Sequence, residues 1–136
     1  MVIDCESPYD LVTTPGIAII SPNFPNGYAS NLSCQVTLSF DDRVSIEFES
    51  FDLSYRSVVN HTCDIDWLEV YDGNSSNSDL IRPRTCGSYF DICGEKDNHL
   101  ESTGKSMTLV FRSQYESHRL RSGAPGFKIM AYQGMT

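Results

Sequence analysis

Apolar and polar residues alternate with a period of two through most of this 136-residue chain. Val36, Leu38 and Phe40 interleave with Gln35, Thr37 and Ser39, and Val44, Ile46 and Phe48 with Ser45, Glu47 and Glu49. The pattern returns at Leu68 and Val70, at Met107, Leu109 and Phe111, and at Phe127, Ile129 and Ala131. Successive strand side chains point to opposite faces, so such runs predict strands with one buried face. Turn-forming clusters separate them: SPNFPNG, DGNSSNSD, ESTGKS and RSGAPG. Short strands divided by such turns predict a single all-β domain, an antiparallel sandwich with function confined to the loops at its ends. No stretch has helical periodicity. Two polar stretches, residues 54–62 and 113–125, exceed what a hairpin needs and are the natural places to look for binding.

Charge narrows the partners. Ten Lys plus Arg stand against eighteen Asp plus Glu, a formal net charge of -8, which repels nucleic acid phosphates. No apolar run is long enough to span a membrane as a helix, and MVIDCESPYD lacks the basic start and apolar middle of a signal peptide. The chain therefore reads as a fragment expressed without one.

Five cysteines, Cys5, Cys34, Cys63, Cys86 and Cys93, are widely spaced, with no CxxC knuckle, so disulfides are the better reading than zinc. Asn31, Asn60 and Asn74 each begin an acceptor sequon for N-glycosylation. Together these features predict an oxidising, extracellular setting.

Taken in order, SPNFPNGYASNLSC, FESFDL, CDIDWLEVYDG, a CG pair, STGKSMTLVFRS and GFKIMAY resemble the landmarks of a CUB domain. The resemblance covers residues 5–132 and leaves 1–4 as a disordered or expression-derived start and 133–136 as a C-terminal tail. It implies a disulfide-stabilised jelly-roll sandwich of two roughly five-stranded sheets, a non-catalytic binding module of a larger secreted or membrane-anchored protein. An extracellular protein ligand is the expected partner. The alternatives are a glycan- or lipid-binding domain like the spermadhesins, or a substrate-positioning accessory of a secreted protease.

The family pattern also implies bridges from Cys5 to Cys34 and from Cys63 to the cysteine of the CG pair. Two such pairs exist, Cys86-Gly87 and Cys93-Gly94. Spacing from Asp72-Gly73 favours Cys86, whereas spacing to Ser102-Thr103 favours Cys93. Cys86 is the preferred partner, leaving Cys93 over as a buried thiol, a dimer link or a bridge to a neighbouring domain.

Many family members bind calcium through three carboxylates. Here Asp66 stands at one of those positions, while Ser54 and Gln114 occupy the other two. With two of three charges missing, no metal or other cofactor is expected. The alternative is a weak, shifted calcium site of Asp52, Asp66 and Glu116. An EF-hand reading of DIDWLE fails because Glu69 falls where the loop needs glycine. His61, His99 and His118 lie in polar, loop-like sequence with no nucleophile elbow, so no catalytic residue is expected. Trp67 is a candidate sugar platform or a packing residue, and the HRLR segment with Arg112 and Lys128 a candidate basic island. Partner contacts are expected from Tyr55, Arg56, Tyr115 and Arg119 in the two long loops, because Tyr and Arg dominate interfaces, and from Asp66 and Gln114 beside them.

Overall fold

A computed structural model describes residues 1–6, 10–53, 63, 66–86, 98–114 and 125–134. Nine strands are assigned among them: β1 (Leu11–Val12), β2 (Ile17–Ile20), β3 (Ser33–Ser39), β4 (Val44–Asp52), β5 (Trp67–Asp72), β6 (Asp79–Thr85), β7 (His99–Glu101), β8 (Ser106–Arg112) and β9 (Gly126–Gln133). They form a five-stranded sheet, β1-β3-β8-β5-β6, and a four-stranded sheet, β2-β9-β4-β7. All pairings between these strands are antiparallel except β1 with β3, which is parallel.

Alternation places the core. Val36, Leu38, Val44, Ile46, Phe48, Leu68, Val70, Met107, Leu109, Phe111, Phe127, Ile129 and Ala131 are all buried between the sheets. Phe111 on one sheet meets Phe127 on the other edge to face at 5.2 Å, the arrangement that ring quadrupoles favour.

β2 and β6 lack the alternation that marks the other long strands. β2 is a run of four apolar residues, IAII. β6 reads DLIRPRT, with Leu80, Pro83 and Arg84 exposed, as an edge strand that must resist further pairing reads.

The first residues run alongside β2. Val2 bridges Ile20 in parallel, the Ile3 amide donates to the Ile20 carbonyl at 2.9 Å, and the Ile3 side chain is buried in the core. An apolar residue beside an unpaired edge of β2 gains both core burial and hydrogen bonds by ordering there. At the other terminus β9 runs on to Gln133, and the Gly134 amide donates to the Arg43 carbonyl at 2.7 Å, so regular structure continues past residue 132.

The two ends of the sandwich differ. At one end short turns, 40–43, 73–78 and 102–105, join successive strands. At the other, β4, β6 and β8 finish and the connections 53–66, 86–98 and 113–125 depart. Gly126 opens β9 at this second end with a φ of 110°, and a Cβ there would lie 2.0 Å from Ser21 Oγ. That hydroxyl is committed, accepting the Phe127 amide at 2.9 Å, so the position requires glycine.

Candidate binding end

Asp66 lies just before β5 and is completely buried. Its Oδ2 accepts the Tyr28 hydroxyl at 2.5 Å, and its Oδ1 accepts the Gln114 backbone amide at 2.9 Å. A buried carboxylate is tolerable only when donors replace its lost water, and here two elements distant in sequence supply them. Tyr28 is fixed in turn by packing edge to face on Phe111, 5.1 Å between ring centres.

The same floor holds the first residues of the 113–125 connection. The Asn31 amide donates to the Gln114 carbonyl at 3.0 Å, so both backbone polar groups of Gln114 are engaged. Ser113 Oγ accepts the Leu32 amide and donates to the Ala29 carbonyl, both at 2.9 Å. The chain thus leaves β8 from a fixed anchor.

Cys63, within the 53–66 connection, is bonded to Cys86, where the 86–98 connection begins, and Cys5 is bonded to Cys34 on β3. Of the two CG pairs, the first supplies the partner of Cys63. Cys93 lies outside the described residues, as do Tyr55, Arg56, Asn60, Tyr115, Glu116 and Arg119.

Asp66 therefore differs from its expected role as a partner contact: with no exposed surface and both oxygens committed internally, it positions Gln114 and Tyr28. Gln114 itself is half-buried, with its side chain left as the contact-capable part. Of the shifted calcium set, Asp52 ends β4 on the four-stranded sheet, whereas Asp66 precedes β5 on the other. Among the described residues no three His, Cys, Asp or Glu side chains converge in a way that could hold a metal ion. A calcium ion needs six to eight oxygens, several of them carboxylate, and the buried, hydrogen-bonded Asp66 is a poor start on that set. Glu116, the third member of that set, and Ser54 lie outside the described residues.

Trp67 is buried, and its ring is covered by the Arg84 guanidinium at 3.9 Å while its Nε1 donates to Glu69 at 3.2 Å. It is a packing residue with a cation on its face, which excludes it as an open sugar platform. Of the basic island, the HRLR segment lies outside the described residues, while Arg112 and Lys128 project from the outer faces of different sheets and Lys128 pairs with Glu49 at 3.4 Å. Tyr28, Ser113 and Arg84 escape sequence reasoning, since nothing local in SPNFPNGY marks its tyrosine as the partner of an acid 38 residues away.

Two sheets of five and four strands, stapled by two disulfides, define a β-sandwich module. The CUB domain family model matches residues 5–130, and the chain belongs to the CUB domain family. Cubilin of Sus scrofa is 36% identical over 104 residues, 75% of this chain but 3% of that protein. The full extracellular region of zebrafish Gpr126/Adgrg6 aligns with a TM-score of 0.70 and 25% identity, covering 96% of this chain and 15% of that one. A MASP-1 CUB2 domain bound to Ca2+ aligns with a TM-score of 0.68 at 21% identity, covering 90% and 96% of the two chains. The chain thus spans a small fraction of the cubilin it matches, and its relatives carry this domain as one module of larger proteins.

Proposed function

We propose that this chain is a non-catalytic, extracellular recognition module that captures a protein partner at the end where the 53–66, 86–98 and 113–125 connections depart. The observation that carries this reading is the anchoring of Gln114 from both sides, by Asp66 and by Asn31. Recognition loops work best when their roots are rigid, because less conformational entropy is lost on binding. The Cys63–Cys86 bridge supports the same reading by tying two of the three loop roots together. Tyr55, Arg56, Tyr115 and Arg119 are the proposed contacts, with the Gln114 side chain at their base.

An array of extracellular domains, probed with the tagged chain secreted from mammalian cells, tests this. The expected result is a protein ligand whose affinity falls at least about tenfold in the Tyr115→Ala, Arg119→Ala double variant. Asn77→Ala, at the opposite end, should leave binding unchanged. Equal affinity of all three proteins would displace the site, and retention on glycans alone would favour the glycan-binding alternative.

A further inference from the structure

The turn joining β5 and β6 folds back over the outer face of the five-stranded sheet. Thr108 Oγ1 donates to the Gly73 carbonyl at 2.9 Å, and Thr108 and Thr37 hydroxyls meet beneath it at 3.1 Å. Between this turn and β1 lies an open groove of about 470 Å³, walled by Leu11, Gln35 and Thr37 on one side and by Asn74 to Asn77 on the other. That volume falls in the range of about 300–1,000 Å³ usual for small organic ligands. In a chain of net charge -8, these lining residues are all uncharged. Amides and hydroxyls can donate and accept toward sugar hydroxyls, and Leu11, 57% exposed, offers an apolar surface for a ring face. The rim residue Asn74 is exposed and begins the sequon Asn74-Ser75-Ser76.

We propose that Asn74 carries an N-linked glycan whose first N-acetylglucosamine lies in this groove and covers Leu11. Attachment draws on a polyprenyl-diphosphate oligosaccharide of the secretory pathway. The Asn74 Nδ2–C1 bond forms as the sugar C1–O bond to diphosphate breaks, and the amide proton leaves with the diphosphate. Asn31 provides the contrast: it too is exposed in a sequon, yet it lines neither this groove nor the one beside Val2. The seated sugar also has a mechanical consequence. β1 is two residues long, and the Thr37 amide donates to the Asp10 carbonyl at 2.9 Å beside it, so a cover over Leu11 restrains a short edge strand that otherwise opens easily.

The inference rests on the extracellular reading above, and one experiment separates the two. The chain is secreted from mammalian cells, trimmed enzymatically to single N-acetylglucosamines, and its site occupancy mapped by mass spectrometry. Hydrogen exchange is then compared with the unglycosylated-site variants Ser76→Ala and Asn74→Gln. The expected result is an occupied Asn74 and amide exchange at residues 11–12 and 35–37 slowed by about fivefold or more relative to both variants. Removing the Asn31 site should leave that protection intact. Occupied Asn31 with empty Asn74, or occupied Asn74 without slower exchange, overturns this inference alone; a secreted chain with neither site occupied counts against it and against the extracellular reading together.

Discussion

Tyr28 donates its hydroxyl hydrogen to Asp66 at 2.5 Å across 38 residues of sequence, joining the turn before β3 to the root of β5 inside the core. Hydrogen bonds to buried charged groups contribute about 1.5–3 kcal/mol each. Tyr28→Phe should therefore lower the unfolding free energy by about 2 kcal/mol, read from urea denaturation, while retaining the ring contact with Phe111. Asp66→Ala removes the acceptor for both Tyr28 and Gln114 and should cost more, about 3 kcal/mol or above. If both variants matched the parent, the polar floor would have no part in holding this end together.

Gly126 tests a steric claim. Alanine there faces an unfavourable positive φ and a Cβ 2.0 Å from Ser21 Oγ, with Tyr28 Cδ1 at 3.5 Å behind it. The expected loss for Gly126→Ala is about 3 kcal/mol, combining backbone strain with overpacking. Ser21→Ala alone should cost about 1 kcal/mol through the lost bond to the Phe127 amide. The double variant should recover part of the clash, so that the two changes are less than additive by thermal denaturation.

The bridge from Cys63 to Cys86 closes a separation of 23 residues, for which chain entropy alone gives about 3.5 kcal/mol. Replacing both cysteines by serine should lower stability by that order. A peptide map of the unreduced protein should contain Cys63 joined to Cys86, and a Cys63–Cys93 peptide in its place would contradict the pairing described above.

Sequence and structure part company for physical reasons that differ from residue to residue. Leu68, Val70, Phe111 and Phe127 announce their burial because a half-buried strand imposes period two on its own sequence. β6 does not, since an edge strand is shaped by the need to refuse partners, and Pro83 with its flanking arginines serves that end. Asp66 is conspicuous in CDIDWLEVYDG, yet its burial is invisible there: what makes it tolerable is Tyr28 and the Gln114 amide, both distant in sequence. Trp67 likewise looks available until Arg84, from the neighbouring strand, is placed over its ring.

Two tyrosines carry a prediction about alkaline pH. Burial, and then the charges of Glu47 and Glu101, push the Tyr132 hydroxyl above its ordinary value of 10.0. Burial, followed by Glu69, does the same for Tyr71. A raised phenol pKa favours the neutral form in the folded state, so the unfolded chain loses these protons first. Stability is therefore unaffected by them below pH 10.0 and declines as pH rises through the folded-state values. Urea denaturation across that window should register the decline, and Tyr132→Phe should make it shallower.

Calcium provides the sharpest functional test, because the MASP-1 CUB2 domain that shares this fold is bound to Ca2+. In this chain Asp66 is buried and gives its oxygens to Tyr28 and the Gln114 amide, so the loop root is fixed by protein donors directly. If, as the resemblance implies, Gln114 and Ser54 stand at positions where carboxylates are expected, their neutral side chains lower the attraction for a divalent ion. Calcium at about 1 mM should accordingly leave the melting temperature unchanged and produce no saturable heat in titration calorimetry. Restoring charge should reverse this: the Ser54→Glu, Gln114→Asp double variant should acquire a calcium-dependent rise in melting temperature, abolished by a chelator. A parent chain that binds the ion more tightly than about 1 mM, and loses it on Asp66→Ala, would show that the carboxylate can exchange its internal donors for a metal.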